Sequence, residues 1–293
     1  MAKTTATNDS YYYLASYPKS GNTWCRTFIA DLTRENKSEN HQDLDLNRDL
    51  ETGAICSSRH WFDDQVCVNS ADLNFREIDQ IRGDIGESEI IFQQGMRYHK
   101  VHDSFITPYS KNKPIVQTKG CAGAIYIIRN PQDVAISLSH HNSCSIEIAV
   151  KSILNSDAGC VANPGVGKKQ LRQFLGNWGY HVRSWTNQSL IKVLTIRYED
   201  MLNKSEETFT SIADFLNINK TSDEIKQSIA NTSFDKLKEI ENTMDGPFLE
   251  KPKGLDNFFR SGKTGEGKKY LNQDQIDKIN KAFENEMKIF SYS

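Results

Sequence analysis

The sequence lacks a dominant sign of charge: 36 Lys and Arg stand against 38 Asp and Glu in 293 residues, a formal net charge of -2. That balance excludes an overall basic field of the kind that holds nucleic acid or an anionic membrane surface, so any anion must be held by local groups. Paired cysteines are also missing. The six present (Cys25, Cys56, Cys67, Cys121, Cys144 and Cys160) form no CxxC motif, which argues against a zinc ribbon or a disulfide-dense secreted scaffold and predicts free thiols. No stretch approaches the roughly 18 apolar residues of a membrane span, and the first ten residues carry no apolar run behind a basic start. A cytosolic protein is expected. Internal repeats and low-complexity tracts are absent, and the Gly- and Pro-bearing stretches are short. One globular domain over residues 8–293, with a single large core, follows.

What the sequence does carry is an alternation of apolar strands and helical patterns. Tyr11 to Ser16 reads as an aromatic-rich strand, Tyr17 to Asn22 as a turn, and Thr23 to Leu32 as a helix through Trp24, Phe28, Ile29 and Leu32. A helix is predicted from Ala71 to Arg82 with Ser70 as its cap, a strand from Arg97 to Val101, and a buried strand from Ala124 to Ile128. Pro131 then opens a helix to about His141. Lys168 to Trp185 has helical spacing, Ile191 to Ile196 reads as a strand, Ser205 to Leu216 as a helix, and a last helix runs from about Gln273 to Lys288. Such alternation predicts an α/β fold with a parallel central sheet flanked by helices, whose ligands bind at the carboxyl ends of the strands.

Three segments fall there. In Tyr17-Pro18-Lys19-Ser20-Gly21-Asn22-Thr23-Trp24, Gly21 lets the backbone approach an anion, the helix start offers free N–H groups, Ser20 and Thr23 add hydroxyls, and Lys19 supplies charge. It is a P-loop-like strand-loop-helix without the GxxxxGK[ST] order of nucleoside triphosphatases, because the lysine precedes a single glycine. In the second segment, an apolar strand delivers Arg129 to its carboxyl end, Asn130-Pro131 turns the chain, and the next helix carries Ser137; such an arginine suits bidentate bonds to phosphate. The third segment, Phe258 to Lys269, is a basic loop too Gly-rich for a helix interior.

Together these segments resemble the sulfotransferase family that uses 3′-phosphoadenosine 5′-phosphosulfate (PAPS). The family's YPKSGTTW-like loop cradles the 5′-phosphosulfate, and this chain departs from it only at Asn22. The resemblance implies PAPS as co-substrate, PAP as product, and no metal. It assigns the 5′ side to Lys19, Ser20, Gly21, Asn22, Thr23 and Trp24, with Lys19 on the oxygen bridging sulfate and phosphate and Trp24 facing the adenine. Arg129 and Ser137 take the 3′-phosphate. Tyr198, Thr232 and Phe234 resemble adenine-side contacts, with Phe234 stacking opposite Trp24. The Arg260-Ser261-Gly262 run is similar to the family's RKGxxGDWK clamp, with Ser261 in place of lysine and Gly267 in place of tryptophan.

Lys100-Val101-His102 matches the family's K-x-H element, which makes His102 the general base and Lys100 its electrostatic helper. A histidine suits that task because its ordinary pKa lies near neutrality. His140 and His141 are adjacent, so they diverge on a helix, and a solvent-facing or packing role is expected for both. Asp63, Asp64 and Asp103 would favour a cationic or many-donor acceptor, against the commoner reading of acidic loop residues as merely solvated. The resemblance implies a small-molecule acceptor bearing a hydroxyl or amino group, with no nucleic-acid or membrane partner, and leaves the oligomeric state open. Asn155 to Gly167 is expected to cover the acceptor site as a lid. The alternatives are a nucleotide or small-molecule kinase, which requires Mg²⁺ ligands, and a catalytically silent nucleotide-binding module.

Overall fold

The computed structural model describes residues 11–34, 44–50, 56–86, 98–160, 169–252 and 254–292. Among the described residues the six strands are β1 Tyr11–Ser16, β2 Tyr98–Val101, β3 Cys121–Ile128, β4 Gly159–Cys160, β5 Gln173–Phe174 and β6 Val193–Arg197. The helices along the first half are α1 Asn22–Thr33, α2 Arg59–Val66, α3 Phe75–Gly86, α4 Pro131–His141 and α5 Ile146–Leu154. Those of the second half are α6 Trp178–Thr186, α7 Tyr198–Asn203, α8 Ser205–Phe215, α9 Ser222–Asn231, α10 Phe234–Thr243, α11 Glu266–Tyr270, α12 Gln273–Ala282 and α13 Glu284–Ile289.

The central sheet has the order β2-β1-β3-β6, and every pairing is parallel. Parallel strands need crossover helices, which cover both faces and bury each strand on two sides. All six residues of β1 are accordingly buried. Tyr11, Tyr13 and Ala15 join a core with Ala124, Tyr126 and Ile128 of β3 and with α4, α5 and α6. The alternate residues Tyr12, Leu14, Ile125 and Ile127 pack on Phe28, Phe209 and Ile212 from α1 and α8. The strands therefore end together at one edge, and the loops that leave β1, β2, β3 and β6 share it.

Some expected boundaries move. The helix placed at Ala71 begins at Phe75, because Asn74 caps it: its Oδ1 accepts the N–H groups of Arg76 (3.0 Å) and Glu77 (3.1 Å). Ser70 does not cap it but starts a short 3₁₀ turn, Ser70–Asp72. Of the stretch Lys168 to Trp185, Lys168 lies outside the described residues and the rest is helical only from Trp178. Gly176 adopts φ 63°, Asn177 caps α6, and Gln173–Phe174 pairs with Gly159–Cys160 instead. The last helix is broken at Phe283 into α12 and α13. Arg97 lies outside the described residues, as do residues 161–167 of the stretch read as a lid. Among the described residues no helix is long and apolar enough to cross a membrane.

Candidate active site

The carboxyl edge of the sheet opens into a cavity of about 590 Å³. Its floor is the turn after β1. Lys19 takes a left-handed conformation (φ 68°) and Gly21 another (φ 105°), which swings the chain into α1. A Cβ on Gly21 would stand 2.7 Å from the Tyr198 ring, so the close approach of loop and ring requires glycine. Asn22 faces inward: its amide N–H groups donate to the Leu14 carbonyl (2.8 Å) and to Ser16 Oγ (3.3 Å), while its Oδ1 is buried without a protein partner.

Lys19, Gly21, Asn22, Thr23, Trp24, Lys100, His102, Arg129, Ser137, Tyr198, Phe234, Arg260, Ser261 and Gly262 all line this cavity. Ser20 and Thr232 are buried and do not. The Thr232 hydroxyl donates to the Ser228 carbonyl at 2.7 Å, a bond inside its own helix end. Trp24 meets Tyr198 and Phe209 edge-on, whereas Phe234 meets Phe259. The two rings expected to stand opposite one another at the adenine thus line one cavity from separate packing partners.

Electrostatically the cavity is positive, with Lys19, Lys100, Arg129 and Arg260 against Glu250 and Glu266. Burial, then Arg129 and Lys100, lower the Lys19 ammonium to about 8. Its Nζ lies 3.2 Å from His141 Nδ1 and 4.2 Å from the Phe258 ring centre. Burial, then Lys19, bring His141 down to about 4, so the neutral ring accepts from the ammonium. Arg129 donates to the main-chain carbonyls of Lys19 and Lys263, each at 3.0 Å, and stacks 4.3 Å from the Tyr198 ring. Ser20 Oγ, Trp24 Nε1 and Arg129 Nε are buried with no protein partner. An unpaired buried polar group costs about 1–3 kcal/mol, so the two such donors on cavity-lining residues, Trp24 Nε1 and Arg129 Nε, fit a ligand rich in acceptor oxygens and nitrogens.

His102 follows β2 directly. Its Nδ1 lies 2.8 Å from the Ser16 carbonyl and therefore carries the proton, while Nε2 keeps its lone pair. Burial, then Lys100, push the ring down to about 3. Behind it, His181 donates from Nε2 to the His102 carbonyl (3.1 Å) and accepts at Nδ1 from the Tyr126 hydroxyl (2.8 Å).

The third segment is tied down at two points. Glu241 accepts the N–H groups of Phe258 (2.6 Å) and Phe259 (3.0 Å), and Asp133 accepts those of Gly265 (2.8 Å) and Gly267 (2.7 Å). The stretch read as loop throughout therefore closes in a helical turn, α11. Arg260 pairs with Glu266 of that turn.

The sulfotransferase domain family model matches residues 9–291. The chain belongs to the sulfotransferase family. Mouse sulfotransferase 2A2 is 29% identical over 71% of this chain and 69% of its own. Flavonol 3-sulfotransferase of Flaveria bidentis is 25% identical over 94% and 81%, and the rabbit amine sulfotransferase is 22% identical over 96% and 82%. Among solved structures, a mouse sulfotransferase complexed with PAP shares the fold at a TM-score of 0.58 and 20% identity, over 96% of this chain and 85% of that one. A retinol dehydratase complexed with androsterone and PAP does so at 0.61 and 17%, over 94% and 80%. This membership sets the kinase alternative aside.

His141 and Glu250 are among the residues of this sulfotransferase's cavity that escaped the sequence reading. His141, expected to face solvent or packing, turns instead onto Lys19; only the neighbouring His140 is exposed. Glu250, on the segment after α10, reaches Lys100 at 3.1 Å. Asp103 is not solvated: it is buried in a bidentate pair with Arg82 (2.9 and 3.0 Å). Asp63 binds the Ser70 N–H and Asp64 binds His60, and neither lines the cavity.

Proposed function

We propose that this sulfotransferase moves the sulfuryl group of PAPS to a hydroxyl or amino group of a small molecule, with His102 as general base. The observation that carries the proposal is the His102 geometry: Nδ1 donates to a main-chain carbonyl, and the unprotonated Nε2 belongs to a ring that lines the same cavity as Lys19 and Lys100. The 5′-phosphosulfate is assigned to the main-chain N–H groups from Gly21 to Trp24 and to Lys19, where a helix start and a buried cation favour an anion. Arg129, Ser137 and the Arg260-Ser261-Gly262 run take the 3′-phosphate, and Trp24, Tyr198 and Phe234 the adenine.

In the reaction the acceptor oxygen or nitrogen forms a bond to sulfur in line with the bridging oxygen, while the bond from sulfur to that oxygen breaks. His102 Nε2 takes the acceptor's proton, and PAP leaves with the electron pair of the broken bond. Lys19 meets the charge that grows on the departing phosphate, and Lys100 the charge on the transferring oxygens. Donors already fixed around developing charge need no reorganisation during the step.

The test is a panel of phenols, aliphatic alcohols and amines incubated with labelled PAPS and read by mass. A gain of one sulfuryl group on a panel member, lost in His102→Ala, is the expected result. Turnover that survives His102→Ala would overturn the assignment of the base, and PAPS that never binds would overturn the whole reading.

A further inference from the structure

A carboxylate in a cavity that receives an anion is unfavourable unless cations hold it. Glu250 is such a group. Its Oε1 accepts from Arg26 Nη1 at 2.6 Å and from Lys100 Nζ at 3.1 Å, and its Oε2 lies 3.3 Å from Thr23 Oγ1. Arg26 is itself buried on α1 and anchored by the Leu50 carbonyl at 2.5 Å. Burial pushes the Glu250 carboxyl up, but Lys100 and Arg26 outweigh it and hold the group at about 2. The carboxylate is thus fixed from behind by a residue that does not line the cavity, and it grips one that does.

We propose that Glu250 is a positioning residue for sulfuryl transfer, acting by anchoring the Lys100 side chain in the reaction cavity. The proposal rests on the role assigned to Lys100 above. Lys100 has four rotatable side-chain bonds, and its ammonium would otherwise sample several positions. Glu250 confines it between α1 and the end of β2. It also works against the other groups that face Lys100. Burial lowers the Lys100 pKa; Glu250 raises it, Arg26 lowers it and Cys160 raises it. Lys19, His102 and His141 share the cavity with it. Removing the Glu250 charge should therefore let Lys100 lose its proton at lower pH.

A double-mutant cycle tests this, using Glu250→Gln, Lys100→Met and the pair, with PAPS and the fastest acceptor of the panel above. Glu250→Gln keeps the shape and loses the charge. It should lower kcat at pH 7 by about tenfold and add no further loss in the Lys100→Met background. Titration of the lysine ε-carbons by NMR, with the Lys100 signal identified by its disappearance in Lys100→Met, should show the Lys100 ammonium losing its proton at lower pH without any acceptor. Glu250→Asp, which keeps the charge, should leave that titration in place. An unmoved Lys100 titration, or losses that multiply in the double variant, would overturn the role of Glu250. Unchanged turnover in Lys100→Met would instead overturn the reading of Lys100.

Discussion

The carbonyl oxygen of Ser16, at the end of β1, lies 2.8 Å from Nδ1 of His102, just past the end of β2. Two adjacent parallel strands thereby decide which ring nitrogen carries the proton. His102→Ala is predicted to lower kcat by about 10²–10⁴-fold, the range for loss of a general base, while PAP affinity measured by calorimetry changes little. Near-normal turnover would remove His102 from the mechanism.

The pH dependence follows from the same cavity. His102 is held down to about 3 and His141 to about 4, so both rings stay neutral through the neutral range. Lys19 is lowered to about 8, so its ammonium is lost as pH rises through that value. The quantity kcat/KM, which reports the free enzyme, should hold through neutrality and fall above about pH 8. Lys19→Arg, which stays protonated, should lose part of the activity and push that fall to higher pH. A wild-type profile flat to about pH 10 would mean that the Lys19 charge is not used.

Arg129 bridges the first and third loops through the carbonyls of Lys19 and Lys263. Charge-assisted bonds of about 1.5–3 kcal/mol correspond to roughly 10–150-fold in affinity. Arg129→Ala should weaken PAP binding within that range and reduce the preference for PAP over adenosine 5′-monophosphate, which lacks the 3′-phosphate. Equal binding of the two ligands by the wild-type protein would remove the 3′-phosphate role.

The strand-loop-helix turns were legible because their signals are local: Gly21 between a buried strand and a helix, or Asn130-Pro131 at a strand end. Glu250 and His141 were not legible, since their meaning comes from tertiary contacts with Lys100 and Lys19. The over-long helix from Lys168 arose because Leu171 and Leu175, buried from irregular chain, keep helical spacing with Trp178, Val182 and Trp185 of α6. The Gly176-Asn177 pair, a left-handed glycine before a cap, was the signal that could have corrected it.

Ser261 and Gly267 are the departures from the family's third loop, and the structure gives them different consequences. Ser261 is half-buried and lines the cavity beside Arg260, whose charge is shared with Glu266. A lysine there adds a cation to the part of the cavity proposed for the 3′-phosphate. Ser261→Lys should tighten PAP binding by about three- to tenfold at low salt, with the gain shrinking as salt screens it. Gly267 offers no such room. Its N–H donates to Asp133 at 2.7 Å, and a Cβ would come within 2.8 Å of the Gln132 main-chain carbon. Gly267→Trp should therefore push α11 off α4, lower the melting temperature and weaken PAP binding together, although it restores the family's residue. Calorimetry and thermal melts on the two variants separate these outcomes. A Gly267→Trp protein as stable as wild type, or a Ser261→Lys protein with unchanged PAP affinity at low salt, would show that the corresponding residue does not limit the clamp.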